Sequence, residues 1–339
     1  MKRYPSVAVA AGAVAAVVLS GCSSSSGAGG NPNGGGDAAS AKVSVAIPAS
    51  SAAASFIQLA VASGLTKKYG VDVTLNASVP PPNTPAALVS GSIQAAALTS
   101  TATQANGKGL PVINVVNTGT HAPFVMLGGP GLKSVKDLAG KSIVTSAPTD
   151  TPGTETRRIL ASAGVANSAK VISVASVPGR SALFDSGQAD AIYEALNLAL
   201  KDQAKRPGST IIGDNTVLPE TPADGLAVTK KYLAGHRSTV LGLVKACIAA
   251  ADMMKNDPAK AAPFLKKIYE LNDSEVQQFL DRQKASLVTN GVPTDAAYTN
   301  QADLFNAQPK QTISWTADKV KASWDTSLAQ QAASQLGLG

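Results

Sequence analysis

The segment "GKSIVTSAPTDTPGTETRRILASAGV", residues 140–165, contains one complete unit of strand, turn and helix. The apolar residues of KSIVTS predict a buried β-strand, and the part that begins at TPGTET has apolar residues at helical spacing. The turn between them is rich in hydroxyl groups. A strand followed by a helix of this length is the repeating unit of a parallel α/β sheet, so the segment indicates that fold class.

The same alternation extends in both directions along the chain. Upstream, strands and helices are predicted at KVSVAIP (42–48), AASFIQLAVASGLTKKYG (53–70), VDVTLN (71–76), TPAALVSG (84–91), QAAAL (94–98) and PVINVVN (111–117). Downstream, they are predicted at KVISVAS (170–176), GRSALFDSG (179–187) and ADAIYEA (189–195). Two successive runs of this kind predict two lobes, each with a mostly parallel sheet flanked by helices. From about Thr229 the pattern is almost wholly helical, which predicts a helical C-terminal region.

The first residues of the chain have the order of a secretory signal. Two basic residues precede an apolar run over residues 7–19, which is shorter than the roughly 20 residues that a membrane-spanning helix needs. The letters LSGC at residues 19–22 resemble the bacterial lipobox, in which the chain is cut before a cysteine that carries acyl chains such as palmitate. We therefore expect a signal peptide over 1–21 and a lipid on Cys22. The alternative is an ordinary cleavage site beside a spare cysteine.

The segment after Cys22 has the composition of a flexible tether. Residues 23–40 are almost entirely Ser, Gly, Ala, Asn and Pro, so they cannot bury enough apolar surface to fold, and we predict a tether over 22–41. Each buried methylene of an acyl chain adds about 0.8 kcal/mol of membrane affinity, so several chains on one cysteine anchor a protein firmly. We therefore expect a protein attached to the extracytoplasmic face of the cell membrane.

Composition excludes several classes of protein. Without the signal peptide, 27 basic residues stand against 22 acidic ones, and the charges are scattered, so the sequence predicts no nucleic-acid partner. With Cys22 acylated, Cys247 has no partner for a disulfide, and its apolar helical surroundings predict a buried structural thiol. His121 and His236 lie far apart without a cysteine or carboxylate cluster, so we expect neither a metal site nor a cofactor.

Several segments of the chain resemble, in order, one known protein family. They are GLTKKYGVDVTL, ALVSGSIQAAALT, SVKDLAGKSIVTS with GTETRRILASAGV, ALFDSGQADAIYE and DGLAVTKKYLAGHRSTV. Together they resemble the extracytoplasmic substrate-binding proteins of ABC importers, in the branch that serves nitrate, sulfonates, taurine and thiamine precursors. This resemblance, over roughly residues 43–290, implies a two-lobed periplasmic-binding-protein type 2 fold with the ligand between the lobes. It places the first lobe at 42–121 and 224–339 and the second at 122–223, with chain crossings near NTGTHAP and LPETPADG.

Three hydroxyl-rich turns are the candidate binding elements. A helix N-terminus presents unpaired N–H groups and a partial positive charge, so it holds an anion without a basic side chain. The family's cleft lies where helices begin after strands, and it implies ligand contacts from Ser50, Ser51, Thr99, Ser100, Thr101, Thr149, Gly153 and Thr154. The alternative for each residue is ordinary helix capping, which Ser and Thr perform in any protein.

Four other residues are candidates with an alternative role each. Arg180 follows a strand and could pair with a carboxylate or sulfonate, or lie on the surface. Tyr193 and Glu194 end a strand at a position where the family often lines its pocket. A carboxylate there favours a ligand with an amine or hydroxyls. The alternative role of these residues is capping of the next helix. His121 lies near the predicted crossing, where packing of the hinge is an alternative to ligand contact.

The resemblance and the lipobox together predict function. They imply a monomeric lipid-anchored receptor, not an enzyme, that captures a small organic or anionic ligand and delivers it to an ABC transporter permease. Neither a G-x-S-x-G elbow nor a complete phosphate loop occurs, since the glycine required five residues before Gly140 is Val135. Two alternatives remain: a biosynthetic enzyme on the same fold, which acts in the cytoplasm, and a sensory or surface lipoprotein without a permease.

Overall fold

The computed structural model describes residues 40–48, 51–309 and 311–338. The predicted signal peptide, the lipid site at Cys22, most of the tether and Ser50 lie outside the described residues.

Ten β-strands in the described residues form two sheets. The strands are β1 (Ala41–Ala46), β2 (Val71–Asn76), β3 (Ala95–Ala96), β4 (Val112–Gly119), β5 (Phe124–Gly128), β6 (Ser142–Thr145), β7 (Lys170–Ser173), β8 (Ala191–Ala195), β9 (Thr210–Asp214) and β10 (Asp224–Thr229). The first sheet has the order β2-β1-β3-β10-β4, and the second has the order β7-β6-β8-β5-β9. In each sheet one strand runs against the other four: β10 is antiparallel to β3 and β4, and β5 is antiparallel to β8 and β9. The predicted fold class, with two mostly parallel sheets, is confirmed.

Fourteen α-helices in the described residues flank these sheets. They are α1 (Ser55–Ala62), α2 (Leu65–Lys68), α3 (Thr84–Ser90), α4 (Thr99–Gly107), α5 (Thr151–Ser162), α6 (Val177–Asp185), α7 (Leu196–Lys205), α8 (Lys230–Gly235), α9 (Arg237–Asn256), α10 (Pro258–Tyr269), α11 (Asp273–Lys284), α12 (Asp295–Asn306), α13 (Ala317–Lys321) and α14 (Ser327–Leu336). The seven helices from α8 onward follow the last strand, so the C-terminal region is helical as predicted. None of the helices in the described residues has the length and apolar character needed to cross a membrane.

Two elements differ from the sequence-based prediction. The helix predicted over 53–70 is divided into α1 and α2, because Gly64 adopts a left-handed conformation with φ of 78° between them. The strand β9 has only two adjacent apolar residues, Ile211 and Ile212, and the sequence pattern did not predict it.

The largest apolar core is centred on helix α9. This helix is buried along one side, at Val240, Leu243, Val244, Cys247 and Ile248, and packs against α1, α10 and α14. The predicted burial of Cys247 is confirmed, and burial in this apolar environment raises the pKa of its thiol. The same cluster of buried apolar residues includes residues from both sheets.

Candidate functional site

Two chain segments connect the sheets and lie side by side. We call the first sheet with α1–α4 and α8–α14 lobe 1, and the second sheet with α5–α7 lobe 2. The connecting segments are residues 120–123 and 215–223, and they pair with each other through their backbones. The amide of Thr221 donates to the carbonyl of Thr120 at 2.8 Å, and that of Ala223 donates to Gly119 at 3.0 Å. We call these paired segments the hinge.

His121 binds the two hinge segments to each other. Its Nε2 lies 3.0 Å from the carbonyl oxygen of Leu218, and its Nδ1 lies 3.1 Å from the hydroxyl of Thr120. A carbonyl oxygen only accepts, so Nε2 carries the proton and donates to Leu218, while Nδ1 accepts from Thr120. Both ring nitrogens are therefore used within the hinge.

Three polar contacts join the lobes directly. The amide nitrogen of Ala52, at the start of the first helical turn of lobe 1, donates to Oδ1 of Asn197 on α7 at 3.0 Å. Lys201 and Glu270 form an ion pair of 2.8 Å, and Arg282 and Asp214 lie 3.8 Å apart. Because Glu270 is largely exposed and Lys201 is partly exposed, their pair contributes little to stability. The Ala52–Asn197 bond is buried and has ideal length, so it is the main polar link between the lobes.

A small cavity of about 30 Å³ lies beside the hinge, where the lobes meet. Its lining includes residues of the hinge and of both lobes: Gly119, His121, Ala122, Leu196, Asp214, Asn215, Asp224, Arg282, Gln283 and Ser286. A cavity of this size holds a water molecule or a group of similar size. We call it the hinge cavity.

Two polar side chains that line the hinge cavity have at least one polar atom without a protein partner. Asp224 is only 8% exposed, and no described residue donates a hydrogen bond to its carboxylate. Gln283 is buried as well; its Oε1 accepts from the hydroxyl of Ser55 at 3.3 Å, but its Nε2 donates to no protein atom. Buried polar groups in proteins are nearly always paired. Because these two line a cavity, their unpaired atoms are accessible to a water molecule or to a group of a ligand.

Glu155 lies buried in lobe 2 close to this cavity. The hydroxyl of Tyr193 donates to its Oε2 at 2.7 Å, and the amide Nδ2 of Asn215 donates to its Oε1 at 3.4 Å. Burial raises the pKa of Glu155 to about 7, although both hydrogen bonds oppose that change. Burial, and then the nearby charge of Glu155, raise the pKa of Asp224 well above its ordinary value. Two buried carboxyl groups, one from each lobe, are thus electrostatically coupled.

A second, larger space lies on the outer side of the lobe boundary. This open groove has a volume of about 460 Å³ and is lined by Pro148, Thr149, Thr154, Arg157, Arg158, Ala307 and Pro309. Its lining is mainly apolar, and two of its polar groups are already engaged. The Oγ1 of Thr154 donates to the carbonyl of Asp150, and Nη1 of Arg157 donates to two backbone carbonyls. The groove has room for a small organic molecule, and Arg158 adds a second guanidinium group to its lining.

The hydroxyl residues predicted in lobe 1 mainly bond to protein. The Oγ of Ser51 accepts from the amide of Ala53 and caps a short 3-10 turn. The Oγ1 of Thr99 donates to the carbonyls of Pro222 and Ala223, which attaches the start of α4 to the hinge. The hydroxyl of Ser100 accepts from Gln301 on α12, and Thr101 is half-buried in the first turn of α4. Ser51 and Thr99 thus position the helix starts around the lobe boundary.

In lobe 2 the start of α5 is capped by its own chain. The carboxylate of Asp150 accepts from the amide of Gly153 at 2.9 Å, so the capping position is occupied by an acid. Thr154 bonds back to Asp150, and Thr149 is exposed at the edge of the groove. The structure therefore brings Thr149 and Thr154 together, but an acidic cap makes this helix start a poor place for an anion.

Arg180 and Glu194 lie inside lobe 2, and neither lines the hinge cavity or the groove. Nη1 of Arg180 donates to the carbonyls of Val174 and Ala175, at 3.0 and 3.1 Å. Glu194 is fully buried with no hydrogen bond to its carboxylate oxygens. Burial and the neighbouring Asp202 raise the pKa of Glu194 well above its ordinary value. Tyr193, by contrast, contacts the site through Glu155.

The sequence analysis did not single out Glu155, Asn197, Asp224 or Gln283. Glu155 is weakly indicated as a functional residue, because it is an acid among the buried positions of TPGTETRRIL. Asp224 is the first residue of the buried strand DGLAVT, which places a carboxylate at the end of a strand. Gln283 and Asn197 show no pattern that distinguishes them from surface amides of helices. In the described part of the chain, no group of three or more His, Cys, Asp and Glu residues is arranged to hold a metal ion.

Comparison with solved structures shows which fold this is. The alkanesulfonate-binding protein SsuA from Xanthomonas axonopodis pv. citri, bound to MOPS, superposes with a TM-score of 0.68 at 19% identity, over 86% of this chain and 100% of that one. The nitrate-binding protein NrtA from Synechocystis PCC 6803 superposes with a TM-score of 0.66 at 15% identity, over 88% and 90%. The desulfurization enzyme DSZB has the same fold, with a TM-score of 0.61 at 13% identity, over 87% and 99%. These likenesses confirm the two-lobed fold.

Comparison of the sequence itself identifies the family. No curated protein matches the chain significantly. A family model described as NMT1/THI5 like matches residues 53–261, which is more than half of the chain and confirms the resemblance seen in the sequence. The chain belongs to the NMT1/THI5-like family.

Proposed function

We propose that the protein is a lipid-anchored solute-binding receptor that captures a small ligand between its lobes and delivers it to an ABC importer permease. One observation supports this proposal most strongly. Two sheets of the same strand order are joined by two paired segments. A cavity lined by the buried Asp224 and by the unpaired Nε2 of Gln283 lies where those segments and both lobes meet.

The proposed motion is a change in the angle between the lobes. We place the lobe boundaries near residues 121 and 223, so that the hinge segments absorb the rotation. The lobes touch through α7 and α11 in this structure, and the hinge cavity is too small for a whole organic ligand. A ligand therefore enters when the lobes separate and stabilises the arrangement with the larger number of contacts to it.

The site of capture is the lobe boundary beside the hinge. The carboxylate of Asp224 accepts no hydrogen bond there, and Nε2 of Gln283 has no acceptor, whereas Oγ1 of Thr154 and Nη1 of Arg157 in the groove bond to the backbone. The hydroxyl residues Ser51, Thr99 and Thr101 remain candidates for ligand contact when the lobes are apart. The solved relatives are named for alkanesulfonate and nitrate, which supports small-molecule capture as the general role.

The proposed location follows from the sequence before residue 40. A signal peptide, a lipid on Cys22 and a tether of about 20 residues would hold a monomer at the extracytoplasmic face of the membrane, within reach of a permease. A sensory lipoprotein would need the same features, so the presence of a permease is the point that separates the two. The enzyme DSZB has the same fold, but in the part of the chain that the structure describes the one cysteine, Cys247, is fully buried.

A thermal-shift screen tests the proposal. The chain from residue 22 onward, with Cys22→Ser, is mixed with taurine, alkanesulfonates, nitrate, bicarbonate, thiamine precursors, riboflavin, aromatic carboxylates and small amines. A compound that binds the folded state with a Kd 100 times below its concentration adds about 2.7 kcal/mol of stability, which is a clear rise in melting temperature. Unchanged melting for every class at millimolar concentration contradicts a receptor for small molecules.

A further inference from the structure

We infer that the ligand carries a positively charged nitrogen group, an amine or an amidine, which the carboxylate of Asp224 holds in the hinge cavity. This inference rests on the proposed function and specifies the ligand's chemical class. It differs from the class named for the solved relatives, alkanesulfonate and nitrate, which are both anions.

The position of Asp224 supports the inference. It begins β10 at the hinge, opposite Gly119 of β4, and its side chain is more than nine-tenths buried in the cavity lining. A β-carbon at Gly119 would lie 3.0 Å from Oδ2 of Asp224, so the glycine leaves the space that the carboxylate uses. A buried carboxylate with no donor is unfavourable unless a cation or hydrogen-bond donor joins it. A cavity of about 30 Å³ suits one ammonium or one amidine NH₂ group.

The charges around Asp224 leave it without a cation of its own. The guanidinium of Arg282 lines the same cavity and forms a long ion pair of 3.8 Å with Asp214, and it does not act on Asp224. His121 uses both ring nitrogens within the hinge. Tyr269 on α10 lies close enough to Asp224 for the acid to raise the pKa of its hydroxyl, but this hydroxyl donates to Gln58. The remaining charged neighbour is Glu155, which adds negative potential.

Glu155 therefore reinforces the preference for a cation. Its carboxyl is held by Tyr193 and Asn215, and Asn215 also lines the hinge cavity. The charged groups that act on Glu155 are Arg158, which lowers its pKa, and Asp150, which raises it. Next to Asp224 an anion would meet two coupled acids, whereas a cation would be attracted by both. The charge of Arg282, which also lines the cavity, is offset by Asp214.

Gln283 suggests a second feature of the ligand. Its Nε2 lines the same cavity without an acceptor, so it is available to donate to an oxygen or nitrogen atom of the ligand. A ligand with a cationic nitrogen and a nearby acceptor would satisfy both side chains.

Cation binding should release protons. When no ligand is bound, burial favours the protonated form of Asp224 and raises its pKa. A bound cation favours the ionised form, so the proton leaves as the ligand binds. The affinity for a permanent cation is therefore expected to rise with pH. The rise should end at the pH where the carboxyl groups of Asp224 and Glu155 are already ionised in the ligand-free protein.

Isothermal titration calorimetry of the chain with Cys22→Ser tests the inference. The probes are benzamidine and benzenesulfonate, which have similar size and opposite charge, together with agmatine and propane-1-sulfonate. We expect the cations to bind and the sulfonates to show at least a tenfold weaker affinity. Asp224→Asn should weaken cation binding by roughly 10- to 150-fold, as for loss of a charge-assisted hydrogen bond. Asp303→Asn, at an exposed position on α12, is the matched control and should bind like the wild type.

Two readouts on the unmutated chain cover the case in which Asp224→Asn fails to fold. Titrations at pH 6 in two buffers with different ionisation enthalpies should show proton release, and cation affinity should increase from pH 5.5 to pH 7.5. Tighter binding of sulfonates than of cations, unchanged cation affinity in a folded Asp224→Asn protein, or proton uptake would each overturn the inference. Sulfonate binding would leave the receptor function intact, while failure of all probes and of the full thermal-shift panel would contradict both.

Discussion

The amide nitrogen of Ala52 lies 3.0 Å from Oδ1 of Asn197, in a buried hydrogen bond that joins the two lobes. Ala52 begins the 3-10 turn that leads into α1, and Asn197 lies in the first turn of α7. The first N–H groups of a helix have no partner within the helix, so this amide would be available to a ligand when the lobes separate. In the proposed receptor, separation of the lobes would break this bond and leave the amide of Ala52 without its partner.

Asn197→Ala should shift the protein without ligand toward separated lobes. The substitution removes the buried acceptor of the Ala52 amide. We expect the arrangement with touching lobes to become about 1 kcal/mol less stable relative to the separated one. Small-angle scattering should give a larger radius of gyration than for the wild type. The control is Asn256→Ala, because Asn256 is exposed and bonds only to Asp252 on its own helix. Equal radii for all three proteins would show that this bond does not hold the lobes together.

Glu155→Gln should flatten the dependence of stability on pH. The pKa of Glu155 is about 7 in the folded protein and near 4.5 when unfolded, so between these values the folded state holds a proton that the unfolded state releases. Glu155 therefore makes its whole contribution to the free energy of unfolding below pH 4.5. This contribution falls by roughly 3 kcal/mol as the pH rises to about 7. Urea unfolding at pH 5 and pH 8 measures this difference. An identical difference in the wild type and in Glu155→Gln would refute the assigned shift, and Asp303→Asn serves as the control.

Gly153→Ala should destabilise the start of α5. A β-carbon at Gly153 would lie 2.0 Å from the carbonyl oxygen of Ala147, which belongs to the backbone of the preceding turn. We expect a loss of about 1–3 kcal/mol in the free energy of unfolding, as for overpacking of a buried site. At Gly235 of α8 a β-carbon would meet no atom within 4 Å, so Gly235→Ala should change stability by less than about 1 kcal/mol. Equal melting temperatures for the two variants would contradict the predicted clash.

Cys22→Ser should abolish lipid attachment. Only the thiol of Cys22 at the end of LSGC accepts the acyl-bearing glycerol in the proposed lipobox. Mass spectrometry of the mature protein from its native membrane should find an N-terminal Cys22 with acyl chains, and fractionation should find the Cys22→Ser protein outside the membrane. An unmodified Cys22 on the native protein would rule out the anchor.

Much of the fold was predictable, because most strands are buried runs of β-branched residues with distinct helices between them. The segment 140–165 shows this directly: β6 and α5 lie where its pattern places them. The strand β9 was not predictable, since its pairing with β5 depends on a partner far away in the sequence. The break at Gly64 depends on a left-handed backbone that a helical pattern does not reveal.

The candidate site was less predictable, because it depends on which polar groups remain unpaired after folding. The sequence shows that Ser51 and Thr154 are at helix starts, but not that the first caps its own turn and the second bonds back to Asp150. Asp224 and Gln283 come from distant segments and meet only through the hinge. Their lack of partners is a property of the packed structure, which no local pattern of residues expresses.

Small-angle scattering with and without a ligand tests the central claim, that the protein closes on a small molecule held between its lobes. The compound that raises the melting temperature most in the thermal-shift screen is added at saturation to the chain with Cys22→Ser. We predict a smaller radius of gyration with the compound than without it, because the ligand favours the arrangement in which both lobes contact it. An unchanged radius for every compound that raises the melting temperature would contradict closure around a ligand between the lobes.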